Sequence, residues 1–122
     1  MTKKFFTGGH PLPFSNLIVQ GNTAYAAGQV GFDADDKLAD DIEGQTRQMI
    51  ENLKTLLEEG GFGLEDVVKV GAYLTKRENF AGFNKVYGEY FKSDKPVRTT
   101  VFADLASNDF LVEIDAIATK DN

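Results

Sequence analysis

Apolar and polar positions along this chain switch between a period of two and a period near three and a half, and the switches mark its elements. Leu17–Gln20 and residues 24–30 are short apolar runs. Gly21-Asn22 splits them, and such a pair between two runs predicts a hairpin. Over residues 41–59 the period changes: Met49, Ile50, Leu53, Leu56 and Leu57 recur at three- and four-residue spacing, with Ile42 two turns earlier. This predicts an amphipathic helix, with Asp40 and Glu43 as a capping box and Gly60-Gly61 as the stop. Residues 67–74 read as a strand whose alternating sets both contain apolar residues. Thr75 and Glu78 offer a second capping box to a helix with Phe80, Phe83, Tyr87, Tyr90 and Phe91 on one stripe. After a polar break at 92–96, residues 97–103 and 111–119 predict two final strands, joined by the polar loop 104–109. Residues 1–13, with Gly8, Gly9, Pro11 and Pro13, read as an irregular arm.

The predicted order is β-β-α-β-α-β-β, an α/β (α+β) arrangement. Right-handed crossovers would place both helices on one face of a mixed sheet. At 122 residues the chain has length for a single domain, 1–122. On the last strand Val112, Ile114, Ala116 and Ala118 point one way, while Leu111 and Ile117 point the other with Glu113 and Asp115 between them. Val67, Val68, Val70 and Leu74 likewise use both faces. Two helices cover only one face, and a bare second face in a small domain is a large exposed patch. The pattern therefore predicts a homo-oligomer; a monomer with a sparsely apolar outer face is the alternative.

Composition narrows the chemistry. Hydrophobic residues are 42% and charged residues 26%, as in a folded soluble chain. Thirteen basic residues against nineteen acidic ones give a net charge of -6, which argues against a nucleic-acid partner. The absence of cysteine removes disulfides, thiolate metal sites and cysteine nucleophiles, and a lone histidine, His10, removes any site needing two. His10 falls in the arm, and Ser15, Ser93 and Ser107 lack a nucleophile elbow, so a Ser-His-Asp triad is rejected. Gly8-Gly9 lacks the Lys-Ser/Thr of a phosphate loop. Asp33, Asp35 and Asp36 resemble the start of a calcium loop, but its glycine is missing and Gly44 stands where the bidentate Glu belongs. No metal and no cofactor are expected. No apolar run approaches the ~20 residues of a membrane span and no signal-peptide pattern opens the sequence, so no membrane partner and a cytoplasmic location are expected.

Two charges stand out. Arg98 lies inside the otherwise uncharged Val97-Arg-Thr-Thr-Val-Phe, and Glu113 lies mid-strand in Leu-Val-Glu-Ile-Asp-Ala-Ile. Charges within packed strands are unusual unless paired or functional. An ion pair across adjacent strands, or an exposed edge, would accommodate them. As a site, the arginine fork would grip a carboxylate through two hydrogen bonds and the glutamate would orient or deprotonate a water.

With those residues in place the sequence resembles the RidA family, also called YjgF or L-PSP endoribonuclease. The resemblance runs from about residue 13 to 119 and rests on ordered segments. These are Pro13-Phe14-Ser15, Gly21-Asn22 leading into Ala27-Gly28-Gln29-Val30, and Gln45-Thr46-Arg47-Gln48 followed by Glu51-Asn52-Leu53-Lys54. Asp66-Val67-Val68-Lys69-Val70, the stretch 80–91 with Asn84 and Tyr87, Pro96-Val97-Arg98, and Val112-Glu113-Ile114-Asp115-Ala116-Ile117-Ala118 follow in order. The resemblance implies a chorismate-mutase-like fold assembled as a homotrimer, with clefts between neighbouring subunits. It also implies cofactor-free hydrolysis of reactive 2-imino acids or their enamine tautomers, such as 2-iminobutanoate and 2-iminopropanoate, to 2-keto acids and ammonia. Arg98 and Glu113 match the family's arginine and glutamate, as carboxylate binder and water positioner. Gly28, Phe14, Ala27, Asn84 and Thr100 are the further substrate-binding positions. Active members have Tyr where this chain has Phe14, Ser where it has Ala27, and commonly Cys where it has Thr100. Competing functions are a non-catalytic protein binding 2-keto acids through Arg98, an endoribonuclease, and a chaperone-like interaction protein. Arg98 and Glu113 are expected on neighbouring strands, directed into one cleft.

Overall fold

The computed structural model describes residues 2–121. Its strands are β1 (Lys4–Phe6), β2 (Leu17–Gln20), β3 (Thr23–Gln29), β4 (Val67–Leu74), β5 (Val97–Phe102) and β6 (Val112–Thr119). Its helices are α1 (Ile42–Glu59) and α2 (Phe80–Tyr90). The sheet order is β1-β2-β3-β6-β4-β5, with β4 and β5 parallel and every other neighbouring pair antiparallel. The expected mixed α+β sheet is present, and the arm differs from expectation. Lys4–Phe6 pairs with β2 as an edge strand. Three residues flanked by Gly and Pro give too short a period to register in the sequence.

The hairpin forms as predicted. Gln20 pairs with Thr23 across Gly21-Asn22, and Gly21 takes φ 59, the left-handed conformation that glycine adopts at no steric cost. Helix α1 buries Met49, Ile50, Leu53, Leu56 and Leu57 against the sheet, the stripe expected from spacing. Its cap lies one residue beyond the predicted one: Asp41 Oδ1 accepts from the Gly44 backbone N–H at 3.1 Å. Helix α2 is entered through a 3-10 turn at Arg77–Asn79 with no side-chain cap, so Thr75 and Glu78 do not act as a capping box. Phe83, Val86 and Tyr87 are its buried residues, while Phe80 stays exposed.

Val112, Ile114, Ala116 and Ala118 of β6 join Val70, Ala72 and Leu74 of β4 under the helices, in contact with Leu17, Ala24 and Ala26. Gln45, buried on α1, ties the 104–109 loop to this core. Its Nε2 donates to the carbonyls of Ala39 at 2.9 Å and Asp109 at 3.1 Å, and its Oε1 accepts from Leu111 N–H at 2.9 Å. Both its N–H donors and its carbonyl oxygen are bonded, as burial demands. The opposite face carries Tyr25, Ile117, Glu113, Asp115, Lys69 and Tyr73, with Val97 and Val101 exposed beside them. It mixes apolar and charged groups and no helix covers it.

The capping geometry gives a direct expectation. Replacing an Asp N-cap by Ala costs about 0.5–2 kcal/mol. Asp41→Ala should lower stability in chemical unfolding by that amount, and Asp40→Ala should leave the midpoint close to wild type.

Candidate active site

The register decides which candidate residues can meet. Arg98 is opposite Val70 and Thr100 opposite Ala72, so both point to the helix-covered face of β5. Glu113 is opposite Tyr73, and Tyr73 is opposite Val101, which places Glu113 on the uncovered face. Strand β4 lies between β5 and β6. Arg98 and Glu113 therefore do not lie on neighbouring strands as expected, and within one chain they stand on opposite faces of the sheet. The cause is topological. The crossover through α2 returns β5 to the outer edge of β4, and β6 inserts on the other side of β4.

Around Glu113 the geometry is set by a bulge. Ala26 pairs with Ala116 and Gln29 with Ile114, so Ala27 and Gly28 together oppose Asp115. Extra residues of this kind bend a strand and re-aim its groups. Gly28 is brought so close to Glu113 that a Cβ built on it would overlap the carboxylate. Glycine at this position leaves room for the Glu113 carboxylate. Two residues along β6, Asp115 is firmly held: Oδ1 accepts from Gly71 N–H at 3.2 Å and Oδ2 accepts from the Tyr73 hydroxyl at 3.0 Å. Partial burial pushes the Glu113 carboxyl up from its ordinary value, and the Asp115 charge adds to the effect. The Tyr73 phenol is pushed up chiefly by its hydrogen bond to Asp115. A concavity of about 610 Å³ lies on this face, bounded by Tyr25, Ala27, Gly28, Lys69, Tyr73 and Asp115.

The other group gathers between β5 and α2. The Arg98 guanidinium lies 4.7 Å from the ring centre of Tyr87, 5.1 Å from that of Phe83 and 6.0 Å from that of Phe80. The ion pairs among the described residues are Arg47–Glu89 and Lys85–Glu43; no acid faces Arg98. The cross-strand ion pair that would have made Arg98 structural is not formed. Burial pushes the Tyr87 phenol up, and the Arg98 charge pulls in the opposite direction. The Tyr87 hydroxyl is buried without a hydrogen-bond partner. Asn84 is on α2, three residues before Tyr87 and four after Phe80, the spacing of one helix face. Thr100 follows Arg98 on the same face of β5.

Phe14 belongs to neither group. It is 51% exposed in the arm, its ring 4.6 Å from that of His10. His10 is fixed rather than free: Nδ1 accepts from Leu12 N–H at 3.2 Å, so Nε2–H is the donor to Asn16 Oδ1 at 2.9 Å. The Asp33 carboxylate accepts from the backbone N–H groups of Asp35 at 2.8 Å and Lys37 at 3.0 Å, which makes that acidic loop a self-capped turn. Among the described residues no group of three or more His, Asp or Glu is placed to hold a metal ion, and no helix is long and apolar enough to cross a membrane.

A six-stranded mixed sheet with two helices on one face defines a small α+β fold class, and comparison makes the class specific. The profile of the Endoribonuclease L-PSP family matches residues 10–120. A RutC family protein of Pyrococcus horikoshii is 41% identical over 126 residues, spanning 99% of this chain and 100% of the relative. A Thermotoga maritima crystal structure superposes with a TM-score of 0.89 at 36% identity, over 98% of this chain and 99% of that one. A Mycobacterium tuberculosis structure described as a member of the YjgF/YER057c/UK114 family gives a TM-score of 0.88 at 26% identity, over 98% and 100%. The chain belongs to the RidA (YjgF/L-PSP) family.

The shifted Glu113 carboxyl predicts a pH-dependent stability. A carboxyl raised on folding binds its proton more tightly in the folded chain, so its contribution turns unfavourable as pH rises through the folded value. Glu113→Gln should therefore unfold at a higher temperature than wild type at neutral pH. The gain should vanish below the ordinary carboxylate range, where both states carry the proton in wild type. Thermal unfolding from pH 3.5 to 8 checks this.

Proposed function

We propose that this protein hydrolyses 2-imino acids to 2-keto acids and ammonia at sites shared between copies of the chain in a homotrimer. The observation that carries this reading is Arg98, a partly buried cation with no acidic partner on an edge strand. An unneutralised guanidinium is suited to a small carboxylate, which it can hold through two parallel hydrogen bonds. Within one chain the sheet separates it from Glu113, so the two groups act together only if a neighbouring copy supplies one of them. The uncovered face, with Tyr25, Val97 and Val101 exposed, supplies apolar area for such packing. The family model is described as an endoribonuclease and the relative by its family alone, so the imine reaction rests on the site residues.

The chemistry needs little. Arg98 fixes the carboxylate of the substrate and so presents its C=N carbon. Glu113, made more basic by burial and by Asp115, takes a proton from water as the water oxygen bonds to that carbon. Glu113 returns that proton to the nitrogen, giving the tetrahedral carbinolamine; it then takes the hydroxyl proton and passes it to the nitrogen as the C–N bond breaks and the C=O bond forms, leaving keto acid and ammonia. Positioning and charge carry such a reaction without a covalent intermediate. Phe14 and Ala27 bring no hydroxyl to the site, which favours a second reading: a protein that binds keto acids through Arg98 without turnover. Endoribonuclease activity fits poorly with a net charge of -6, since nucleic-acid binding draws on clustered cations.

Arg98→Ala should lower kcat/KM on 2-iminopropanoate about 10- to 150-fold, the value of one strong charge-assisted contact, and Arg98→Lys should also be impaired for want of the fork. Glu113→Gln should keep keto-acid affinity and lose turnover; wild type that binds keto acid yet accelerates nothing would establish the binding reading instead. In wild type, kcat should fall as pH drops through the Glu113 value, which burial and the Asp115 charge raise from its ordinary one. Co-refolding equal amounts of Arg98→Ala and Glu113→Gln chains tests the shared site: random mixing restores about a quarter of wild-type sites if each takes one residue from each of two copies. No recovery in mixtures shown to exchange subunits refutes the shared site. A sedimentation mass of one chain at micromolar concentration refutes the trimer.

A further inference from the structure

Among the described residues Arg98 has no hydrogen-bond or ion-pair partner, yet it is not loose. Its guanidinium lies over two ring faces, at 4.7 Å from the centre of Tyr87 and 5.1 Å from that of Phe83. Both rings are themselves fixed. Phe83 is fully buried and Tyr87 is 8% exposed. Phe83 and Tyr87 pack at 5.4 Å between centres, and Tyr87 packs on Phe91 at 4.6 Å. The rings form a continuous column, with Phe83 and Tyr87 on one face of α2 and Phe91 at its C-cap.

The physics of the two ways to hold an arginine differ. A carboxylate holds a guanidinium through its N–H groups, neutralises it, and consumes the donors a ligand needs. A ring face attracts the cation through its quadrupole and supplies no carboxylate to neutralise it, so the N–H groups keep their capacity for a ligand. We propose that the ring faces of Tyr87 and Phe83 are a seat for Arg98, making both positioning residues that orient the fork while leaving its charge and donors free. This rests on the reading of Arg98 as the carboxylate binder. It assigns the work to the rings and none to the Tyr87 hydroxyl, which is buried and unpartnered. Phe80, at 6.0 Å and exposed, only flanks the seat.

The test uses the full chain with two readouts. The first is the guanidinium NMR signal of Arg98 without ligand. Seated on ring faces, its protons should resonate upfield of free arginine, in wild type and in Tyr87→Phe, and return toward the free position in Tyr87→Leu. The second is affinity for 2-oxobutanoate and turnover of 2-iminopropanoate. Tyr87→Leu and Phe83→Leu should raise Kd and KM roughly three- to thirtyfold with kcat little changed, because the carboxylate is held equally in ground and transition states. Tyr87→Phe should match wild type in both. A general packing defect would instead lower the active fraction and leave KM in place. An Arg98 signal at the free position in wild type overturns the proposal without any variant, which covers the case in which a leucine variant fails to fold. So does a Tyr87→Phe loss equal to that of Tyr87→Leu, since the hydroxyl would then be the operative group. An upfield Arg98 signal that responds to the variants as stated, in a protein that binds no keto acid, supports the seat and removes the deaminase reading.

Discussion

Strand β6 has a neighbour on each side and a different environment on each face, so its eight residues satisfy two demands at once. Val112, Ile114, Ala116 and Ala118 fill the space beneath the helices. Their alternates Glu113, Asp115 and Ile117 are then obliged to emerge on the uncovered face. A shift of one residue would bury both acids in the core, at a cost no partner there could offset. The hydrophobic set thus fixes the register, and the register fixes where the acids stand relative to Gly28, Gly71 and Tyr73. Core packing and the position of the candidate base are one decision.

The same alternation explains what the sequence makes legible. Elements with long unbroken periods were readable: Leu17–Gln20 and Val67–Leu74 have the predicted bounds, and α1 starts one residue late. The hairpin followed from a two-residue signal with a single steric reason. Features resting on a contact between distant segments were not readable. Strand β1 exists because β2 offers an edge, and Gln45 is buried because the 104–109 loop returns to it. The capping positions at Asp40 and Thr75 matched a motif, but the chain direction at each helix start is set by packing of the preceding loop, which placed Asp41 at one start and a 3-10 turn at the other.

For the site, residue types were informative and their grouping was not. Arg98 and Glu113 were conspicuous because a charge interrupts a strand pattern. Period two tells which residues of one strand share a face; it says nothing about how the parity of β5 relates to that of β6 across β4. The pairings Val70↔Arg98 and Tyr73↔Glu113 supply that relation and put the two charges on opposite faces. The aromatic stripe on α2 was legible as core, and its second role depends on Arg98 lying over it, which no spacing within α2 can reveal.

The two halves hold charge by opposite means that have the same consequence. Asp115 is satisfied by a backbone N–H and a hydroxyl, and it stays a carboxylate whose field acts on Glu113. Glu113 itself receives no such donor, so burial leaves it basic rather than comfortable. Arg98 is held by ring faces that attract its charge and take none of its donors. In each half a structural group absorbs the cost of orientation, and the group left reactive is left unneutralised. Such an arrangement loses stability relative to a cross-strand ion pair between the two. The topology prevents that pair from forming within a chain, because the sheet stands between them. Separation by the sheet is therefore what keeps both charges available on the single chain.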